Sequence, residues 1–368
     1  MTEDPTHTPW TIKTFYLIEL FLIIAGLAIR IFMIIFYYYV NLNPNIQWGG
    51  WGDVYLNYYD VDTIFTGEWD WGGSELIYPP LSIYFLLFLR VASFGSLEIF
   101  AFYAFLLEFI VATSFYFVLK KFDVPKKNLI FGLFLLNPFY FLSYVFSASN
   151  CGYHITDSFF CLFLIIALYF YPNEDKSLFY LFLGLAMCAK WFTIPAAPLF
   201  FFKFFFEKDW EEIKKVIIYI GTPIIIFLIG PIFYLPNYLD IYNSWISSSQ
   251  GAGGQGIPLA LPIFIIIIPF IVLFVGFFLL RLKKADLLEI TFFSIIIMFS
   301  IIMWTRLYIR FLTPLIFYGH LKTKENIFTL DIDFKVMRAH FRVGNNLLTF
   351  ALSVLGCIVA IAIIIFII

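Results

Sequence analysis

The chain has 368 residues, of which 62% are hydrophobic and only 13% are charged, and its mean hydropathy is +0.91. A water-soluble domain carries about 25% charged residues, so this chain cannot cover a globule of its size with polar side chains. A soluble enzyme and a disordered or fibrous protein are therefore excluded, whereas the net charge of −2 says little by itself. The long, continuous apolar runs predict membrane-spanning helices rather than a β-barrel.

The first apolar run, Phe15–Val40, is too long for a signal peptide and has no clear small-residue cleavage site, which predicts an uncleaved first span. Most of the 23 Lys and Arg residues lie in the breaks that separate later apolar runs. The basic breaks are Lys120–Lys127, Tyr171–Ser177, Lys203–Lys215, Arg281–Asp286 and His320–Asn346. The positive-inside rule predicts that all of them face the cytoplasm.

A second group of breaks is almost free of Lys and Arg, and we expect it on the outer side: Asn41–Tyr78, Ser147–Thr156, Leu235–Gly256 and Trp304–Arg310. If Pro79–Gly95 were a full span, Lys120–Lys127 and every later basic break would fall outside. Keeping the basic breaks in the cytoplasm therefore requires two adjustments. Pro79–Gly95 is predicted to be a juxtamembrane helix or half-span instead of a full span. The run Ser177–Phe206 is predicted to break near Lys190–Pro195 into two short helices that dip to the outer side, because proline ends or kinks a helix.

The resulting prediction is an all-α polytopic membrane protein of about eleven spans, with its N-terminus inside and its C-terminus outside. We divide it into a transmembrane module at 1–318, whose first external loop is 41–96, a cytoplasmic loop at 319–346 and a C-terminal helix at 347–368. The loop at 319–346 is expected to be a solvated basic segment that touches anionic lipid.

The first external loop interleaves acids and aromatic residues. Its acids are Asp53, Asp60, Asp62, Glu68, Asp70 and Glu75, and its aromatic residues include Tyr55, Tyr58 and Tyr78. One interpretation is a solvated loop with an aromatic belt at the membrane interface. The other is a sugar site, because C–H faces of a sugar stack on rings and its hydroxyls hydrogen-bond to carboxylates.

Ionisable residues inside or at the ends of spans are a further signal, because charges are costly in lipid. The outer-side set is His154, Asp157, Lys190, Arg306 and Arg310, and Arg30 lies inside the first span. Each could be a snorkelling side chain or a structural ion pair. Together they could line one outward-facing cavity, where carboxylates deprotonate an acceptor and cations neutralise a departing phosphate. For Glu19 and Glu108 we expect only pairing or an orientation toward the bundle interior.

Five motif blocks occur in one order along residues 15–318, each on the predicted outer side. They are Asp53–Tyr58; Thr66–Trp69 with Leu76–Leu81; Asn137-Pro138 with Gly152–Asp157; Leu183–Lys190 with Pro195 and Pro198; and Arg306 with Arg310–Pro314. In this order they resemble the GT-C glycosyltransferases of the mannosyltransferase-like branch, which take a sugar from a polyprenyl-phosphate donor. Tyr153-His154 and Phe311 depart from the family pattern, which bears on substrate identity more than on fold.

The resemblance implies a catalytic scheme. Asp53 would be the general base, with Asp60 or Asp62 as the fallback. Lys190 with Arg306 or Arg310 would hold the phosphate, and His154 and Asp157 would position the sugar or assist a metal. The aromatic residues expected to contact substrate are Tyr55, Tyr58 and Tyr78. Mg²⁺ or Mn²⁺ could bind an Asp/His/Asp set, and no other cofactor is expected.

The predicted function is therefore transfer of a hexose, mannose favoured, from a polyprenyl- or dolichyl-phosphate donor to a glycan or lipid-linked acceptor. The reaction would invert the anomeric centre on the extracytoplasmic face of a plasma or ER membrane, without a nucleic-acid partner. The alternatives are a polytopic transporter or lipid or glycan flippase and a non-catalytic subunit of a membrane complex. A transporter is expected to show repeated halves, which this sequence lacks.

Overall fold

The computed structural model describes residues 10–42, 54, 57–59, 61–62, 79–138, 155–229, 263–305, 313–322, 326–334, 337–344, 348–355 and 358. This part of the chain is mostly helical, which confirms the predicted class at that level. The helices are α1 (Trp10–Leu42), α2 (Pro80–Ala92), α3 (Leu97–Lys121), α4 (Lys127–Leu135), α5 (Ile155–Phe170), α6 (Ser177–Ala189), α7 (Ala196–Glu207), α8 (Trp210–Lys215), α9 (Ile263–Leu280), α10 (Leu287–Thr305) and α11 (Leu315–Leu321).

Two features add to this plan. A 3₁₀ turn, Trp191–Thr193, separates α6 from α7, and α8 continues through a π-helical stretch (Val216–Ile220), an α segment (Gly221–Ile224) and a second π-helical stretch (Ile225–Ile229). The segment predicted to be only a cytoplasmic loop contains an antiparallel hairpin of β1 (Asn326–Phe334) and β2 (Met337–Gly344). The expectation of an irregular loop there is corrected by this backbone pairing, which the charged composition of the segment conceals.

Helix α3 has clear end signals. The Ser96 hydroxyl accepts the N–H of Ile99, and Glu98 lies in the first turn while Lys120 and Lys121 lie in the last, where each charge complements the helix dipole. Among the described residues, α3 alone is both long and apolar enough to cross a bilayer, and five further apolar helices are shorter. One candidate span is therefore established, and the full count of eleven is not.

Helices α1 and α4 cross at close range through two glycines. A Cβ on Gly26 would lie 2.5 Å from Cβ of Leu135, and one on Gly132 would lie 2.8 Å from Cβ of Leu22. Small residues allow helix backbones to approach closely, which is how apolar helices associate when burial from water contributes little. The backbones of α1 and α4 therefore pack against each other directly at these two glycines.

Side-chain contacts fix the directions of the central helices. Asn128 of α4 bonds both Glu19 of α1 (3.3 Å) and Tyr116 of α3 (3.1 Å), whereas Arg30 of α1 contacts Glu108, nearer the start of α3. Helix α1 is therefore antiparallel to α3. Ser158 of α5 lies beside Glu108, and the Lys121 ammonium lies 5.6 Å from the ring of Tyr169 at the end of α5, so α5 runs parallel to α3.

The basic breaks meet at one end of the bundle, which we call the basic end. Four contacts join their five segments in a chain: the rings of Phe122 and Tyr171 stack at 5.7 Å, Lys215 pairs with Asp175 at 3.2 Å, Lys283 lies 6.0 Å from the ring of Phe206, and Lys322 pairs with Asp286 at 2.6 Å. The shared face that the charge pattern predicted for these breaks is confirmed. These contacts show that the breaks share one end of the bundle, and they do not show which side of a membrane that end faces.

The predicted break between α6 and α7 is also confirmed. Helix α6 ends at Ala189, Lys190 is extended (φ −154°, ψ 141°), and α7 begins after Pro195. Helix α7 then folds back along α6, since the ring of Phe200 lies 5.9 Å from that of Tyr180. The start of α6 and the end of α7 both lie at the basic end. The break between them therefore lies at the opposite end of the bundle.

The predicted juxtamembrane segment forms α2. Pro80 occupies its first position, where a missing N–H costs nothing, and a turn at Ser93–Ser96 with Gly95 at φ +78° links it to α3. The Ser82 hydroxyl donates to the carbonyl of Ala189 (2.6 Å), and the ring of Phe85 stacks on that of Phe159 at 3.7 Å. Helix α2 therefore begins beside the α6–α7 break.

Candidate functional site

The first element of the site is an ion pair between two predicted residues, Asp157 and Lys190. Asp157 lies in the first turn of α5, where the helix dipole favours a carboxylate. Lys190 lies in the α6–α7 break, with its ammonium group 5.3 Å from the ring centroid of Phe192. The side chains are 24% and 10% exposed, so a ligand can approach the pair from the aspartate side.

The second element joins the first external loop to α2. Arg90, in the last turn of α2, pairs with Asp62 and lies 4.7 Å above the ring of Tyr58. The Tyr58 hydroxyl donates to the carbonyl of Gly95 at 2.5 Å. Burial raises the pKa of Tyr58 despite the nearby guanidinium, so the phenol remains protonated and keeps this bond.

Helix α2 connects the two elements. Its Ser82 end touches Ala189, next to Lys190, and its other end carries Arg90. The distance between these points is about 12 Å at a rise of about 1.5 Å per residue. We call the region from the Asp62–Arg90 pair to the Asp157–Lys190 pair the site end.

A buried network of Arg30, Glu108 and Ser158 lies next to the site end, on the side toward the centre of the bundle. Glu108 accepts from Arg30 at 2.9 Å and from the Ser158 hydroxyl at 3.1 Å, and both charged side chains are at most 5% exposed. Because Ser158 follows Asp157, this network fixes the turn that carries the ion pair. It lies about 20 Å along α3 from Lys121, by the same helical rise.

The candidates from the sequence divide into two groups. The structure brings together Tyr58, Asp62, Asp157 and Lys190 at the site end. The others lie outside the described residues: Asp53, Tyr55, Asp60, Tyr78, His154, Arg306 and Arg310. Asp157 and Lys190 were expected to serve sugar and phosphate separately, and the structure shows instead that each is bound to the other.

Sequence reasoning missed the role of Arg90. It is the only basic residue in the Pro79–Gly95 segment, which could have marked it as a partner for an acid. The pairing expected for Glu108, and the structural ion pair that was one interpretation of Arg30, are confirmed by the Arg30–Glu108 contact. Opposite charges in two separate apolar runs are a pairing signal, but only tertiary contact can show which two meet.

The described residues contain no group of three or more His, Cys, Asp or Glu side chains that could hold a metal ion. Within the same residues, the Asp157 carboxylate already binds an ammonium group, which competes with a cation for its oxygens. The described part of the site end therefore does not fit a divalent cation.

No family model, curated protein or solved structure matches this chain.

Proposed function

We propose that the chain is a multi-pass membrane glycosyltransferase of the GT-C type. It transfers a hexose, mannose favoured, from a polyprenyl- or dolichyl-phosphate donor to a glycan or lipid-linked acceptor. The observation that carries the proposal is the meeting of two ion pairs and a tyrosine at the end of the bundle opposite the basic loops. Charges that gather at one end suit chemistry at a membrane surface better than a transport path through it.

The same polarity supports an orientation. With the basic end in the cytoplasm, as the positive-inside rule requires, the site end faces the extracytoplasmic side. The hydrocarbon core of a bilayer is about 30 Å thick, so the Arg30–Glu108 pair, about 20 Å along α3 from Lys121, would lie where the outer third begins, with the site end nearer the outer surface. A lipid-phosphate donor has its phosphate near that boundary and could enter between helices without leaving the membrane.

The proposed reaction is a single displacement with inversion. The acceptor oxygen forms a bond to the anomeric carbon while the bond from that carbon to the lipid-phosphate oxygen breaks. Asp53 accepts the acceptor's proton late in the step, a contribution of about 10²–10⁴-fold. The Lys190 ammonium has three N–H donors, so it can hold Asp157 and a phosphate oxygen together as negative charge develops on the leaving group.

The test uses the full chain in lipid nanodiscs with radiolabelled polyprenyl-phosphate mannose or glucose and candidate acceptors. We expect label to move covalently to an acceptor, and Lys190→Gln and Asp53→Asn each to reduce the rate at least about 100-fold. Lys214→Gln is the control, because Lys214 is an exposed lysine at the basic end.

Undiminished transfer by Asp53→Asn would remove Asp53 as the base. Movement of labelled lipid between leaflets of a vesicle, without any labelled product, would overturn the enzyme and favour a flippase.

A further inference from the structure

Two buried threonines beside the Asp157–Lys190 pair have unsatisfied hydroxyl groups. Thr156 and Thr193 are each 0% exposed, and neither hydroxyl has a hydrogen-bond partner within the described part of the chain. A buried polar group without a partner is unfavourable and uncommon in native structures, so it asks for a physical explanation.

Their positions connect them to the ion pair. Thr156 precedes Asp157 in the first turn of α5, and Thr193 ends the 3₁₀ turn that begins after Lys190. The two segments are in direct contact, through the ion pair and through the rings of Phe160 and Phe192, whose centroids are 5.3 Å apart. The threonines therefore belong to the same small region as the charges.

Three buried hydroxyls of α10 are satisfied within their own helix. Thr291 donates to the carbonyl of Leu287 at 2.7 Å, and Ser294 and Ser300 donate to carbonyls one turn back in the same helix. Thr156 is the second described residue of α5, and its hydroxyl donates to no carbonyl of the described residues. Thr193 lies outside an α-helix altogether. The described backbone thus leaves both hydroxyls unsatisfied.

We propose that Thr156 and Thr193 are ligand-binding residues that hydrogen-bond the hydroxyl groups of the donor sugar. This inference rests on the proposed function and adds a sugar subsite to it. A hydroxyl both donates and accepts, as sugar hydroxyls do. The Asp157 side chain, next to Thr156 in the chain, is 24% exposed, so a ligand can reach this region, and its carboxylate can accept hydrogen bonds from further sugar hydroxyls.

The proposal predicts opposite effects on stability and on binding. Replacing either threonine with valine keeps the shape and removes the unsatisfied hydroxyl, so the melting temperature without ligand should rise. The same change removes one hydrogen bond to the sugar, so the donor KM should rise about threefold to tenfold. A threonine with only a structural role would not couple these two effects.

The experiment uses Thr156→Val and Thr193→Val, with Thr291→Val as the matched control, because Thr291 is equally buried but satisfied. Thermal shifts of the full chain are measured with polyprenyl-phosphate mannose and with polyprenyl phosphate alone. The difference between the two thermal shifts measures the stabilisation that is due to the mannose. We expect each variant at the site end to reduce that difference while raising the unliganded Tm, and Thr291→Val to lower the Tm and keep the difference.

Two further results complete the test. Thr193→Ser retains a hydroxyl and should keep the mannose-dependent shift, which separates loss of the hydroxyl from altered packing. Wild-type mannose dependence and KM in both valine variants would overturn the subsite while leaving the transferase standing. A mannose-dependent shift that the valine variants lose, in a protein that transfers no sugar, would support the subsite and overturn the proposed function.

Discussion

The two ends of the bundle use polar side chains differently. At the basic end, the Tyr180 hydroxyl donates to Glu212 (2.8 Å), Lys215 bridges Glu212 and Asp175, and the Lys176 ammonium donates to the carbonyl of Asn173 (2.6 Å). At the site end, a partly exposed ion pair lies beside buried threonine hydroxyls that no described residue satisfies. The hydrogen bonds of the first arrangement are made within the protein, whereas we propose that a ligand satisfies the hydroxyls of the second.

Protonation at the basic end fits that contrast. Burial, assisted by the carboxylate of Asp286, raises the pKa of Tyr171 to about 12, so its phenol is neutral throughout the physiological range. The bond to Glu212 raises the pKa of Lys215, which therefore remains charged and paired. Both groups therefore keep one protonation state near neutral pH.

The largest expected effect is at the network beneath the site end. Glu108→Ala would leave the Arg30 guanidinium buried beside an apolar cavity and remove the acceptor of Ser158. Breaking a buried pair by removing one partner costs about 3–5 kcal/mol of unfolding free energy. The measurement is the unfolding free energy in mild detergent, compared with the wild-type chain.

The double variant Arg30→Met with Glu108→Leu is the control, because replacing both partners by apolar residues of similar size is often nearly neutral. It should recover most of the lost stability. A single variant as stable as the wild-type chain would mean that the site end does not rest on a buried charge network.

The next largest effect is expected at the close contact between α1 and α4. Gly132→Ala would place a Cβ 2.8 Å from Cβ of Leu22, and overpacking of this kind costs about 1–3 kcal/mol. Gly276→Ala is the matched control, because no atom lies within 4 Å of its new Cβ, and helix propensity then favours alanine. Equal stabilities for the two variants would show that α1 and α4 do not approach as closely as described.

Tyr180→Phe tests the contrast between the two ends through the direction in which the melting temperature changes. The Tyr180 hydroxyl donates to the charged Glu212, a bond worth about 1.5–3 kcal/mol, and we expect the lower value because Glu212 retains its bond to Lys215. We therefore expect Tyr180→Phe to lower the Tm, whereas Thr156→Val and Thr193→Val should raise it. A rise in Tm for Tyr180→Phe, or a loss of transferase activity, would contradict the division.

Much of the fold could be predicted from charge and proline. Lysines in the breaks predicted which loops share an end, and Pro195 and Pro198 predicted that α6 and α7 are separate helices. The β-hairpin at 326–344 could not be predicted, because its strands carry charges that resemble a solvated loop. The number of spans is beyond the pattern as well, since short apolar helices can pack inside a bundle without crossing a membrane.

The site was predictable as a list of residue types but not as pairs. The sequence allowed a structural ion pair for each of Asp157 and Lys190 but did not indicate that they pair with each other, because Asp157 lies in α5 and Lys190 in the α6–α7 break. Arg90 as the partner of Asp62 and the unsatisfied state of Thr156 both depend on tertiary geometry. A threonine at the start of a helix is ordinary in sequence, and only the absence of a partner among the described residues makes it a candidate.

The smallest effect is expected at Asp175, through pH. Bonds from the Ser177 hydroxyl and N–H, and then from Lys215, lower the pKa of Asp175 below its ordinary value of 3.8. A lowered folded-state pKa stabilises the protein above that ordinary value, and the contribution disappears as the pH falls through the folded-state pKa. Asp175→Asn should therefore have a slightly lower Tm than the wild-type chain at neutral pH, and the two should converge in acid below 3.8.

The control is Glu174→Gln, because Glu174 is an exposed neighbour that makes no hydrogen bond to any described residue, and it should follow the wild-type curve. If the gap between Asp175→Asn and the wild-type chain widened in acid, the basic end would hold its carboxylates by something other than these bonds.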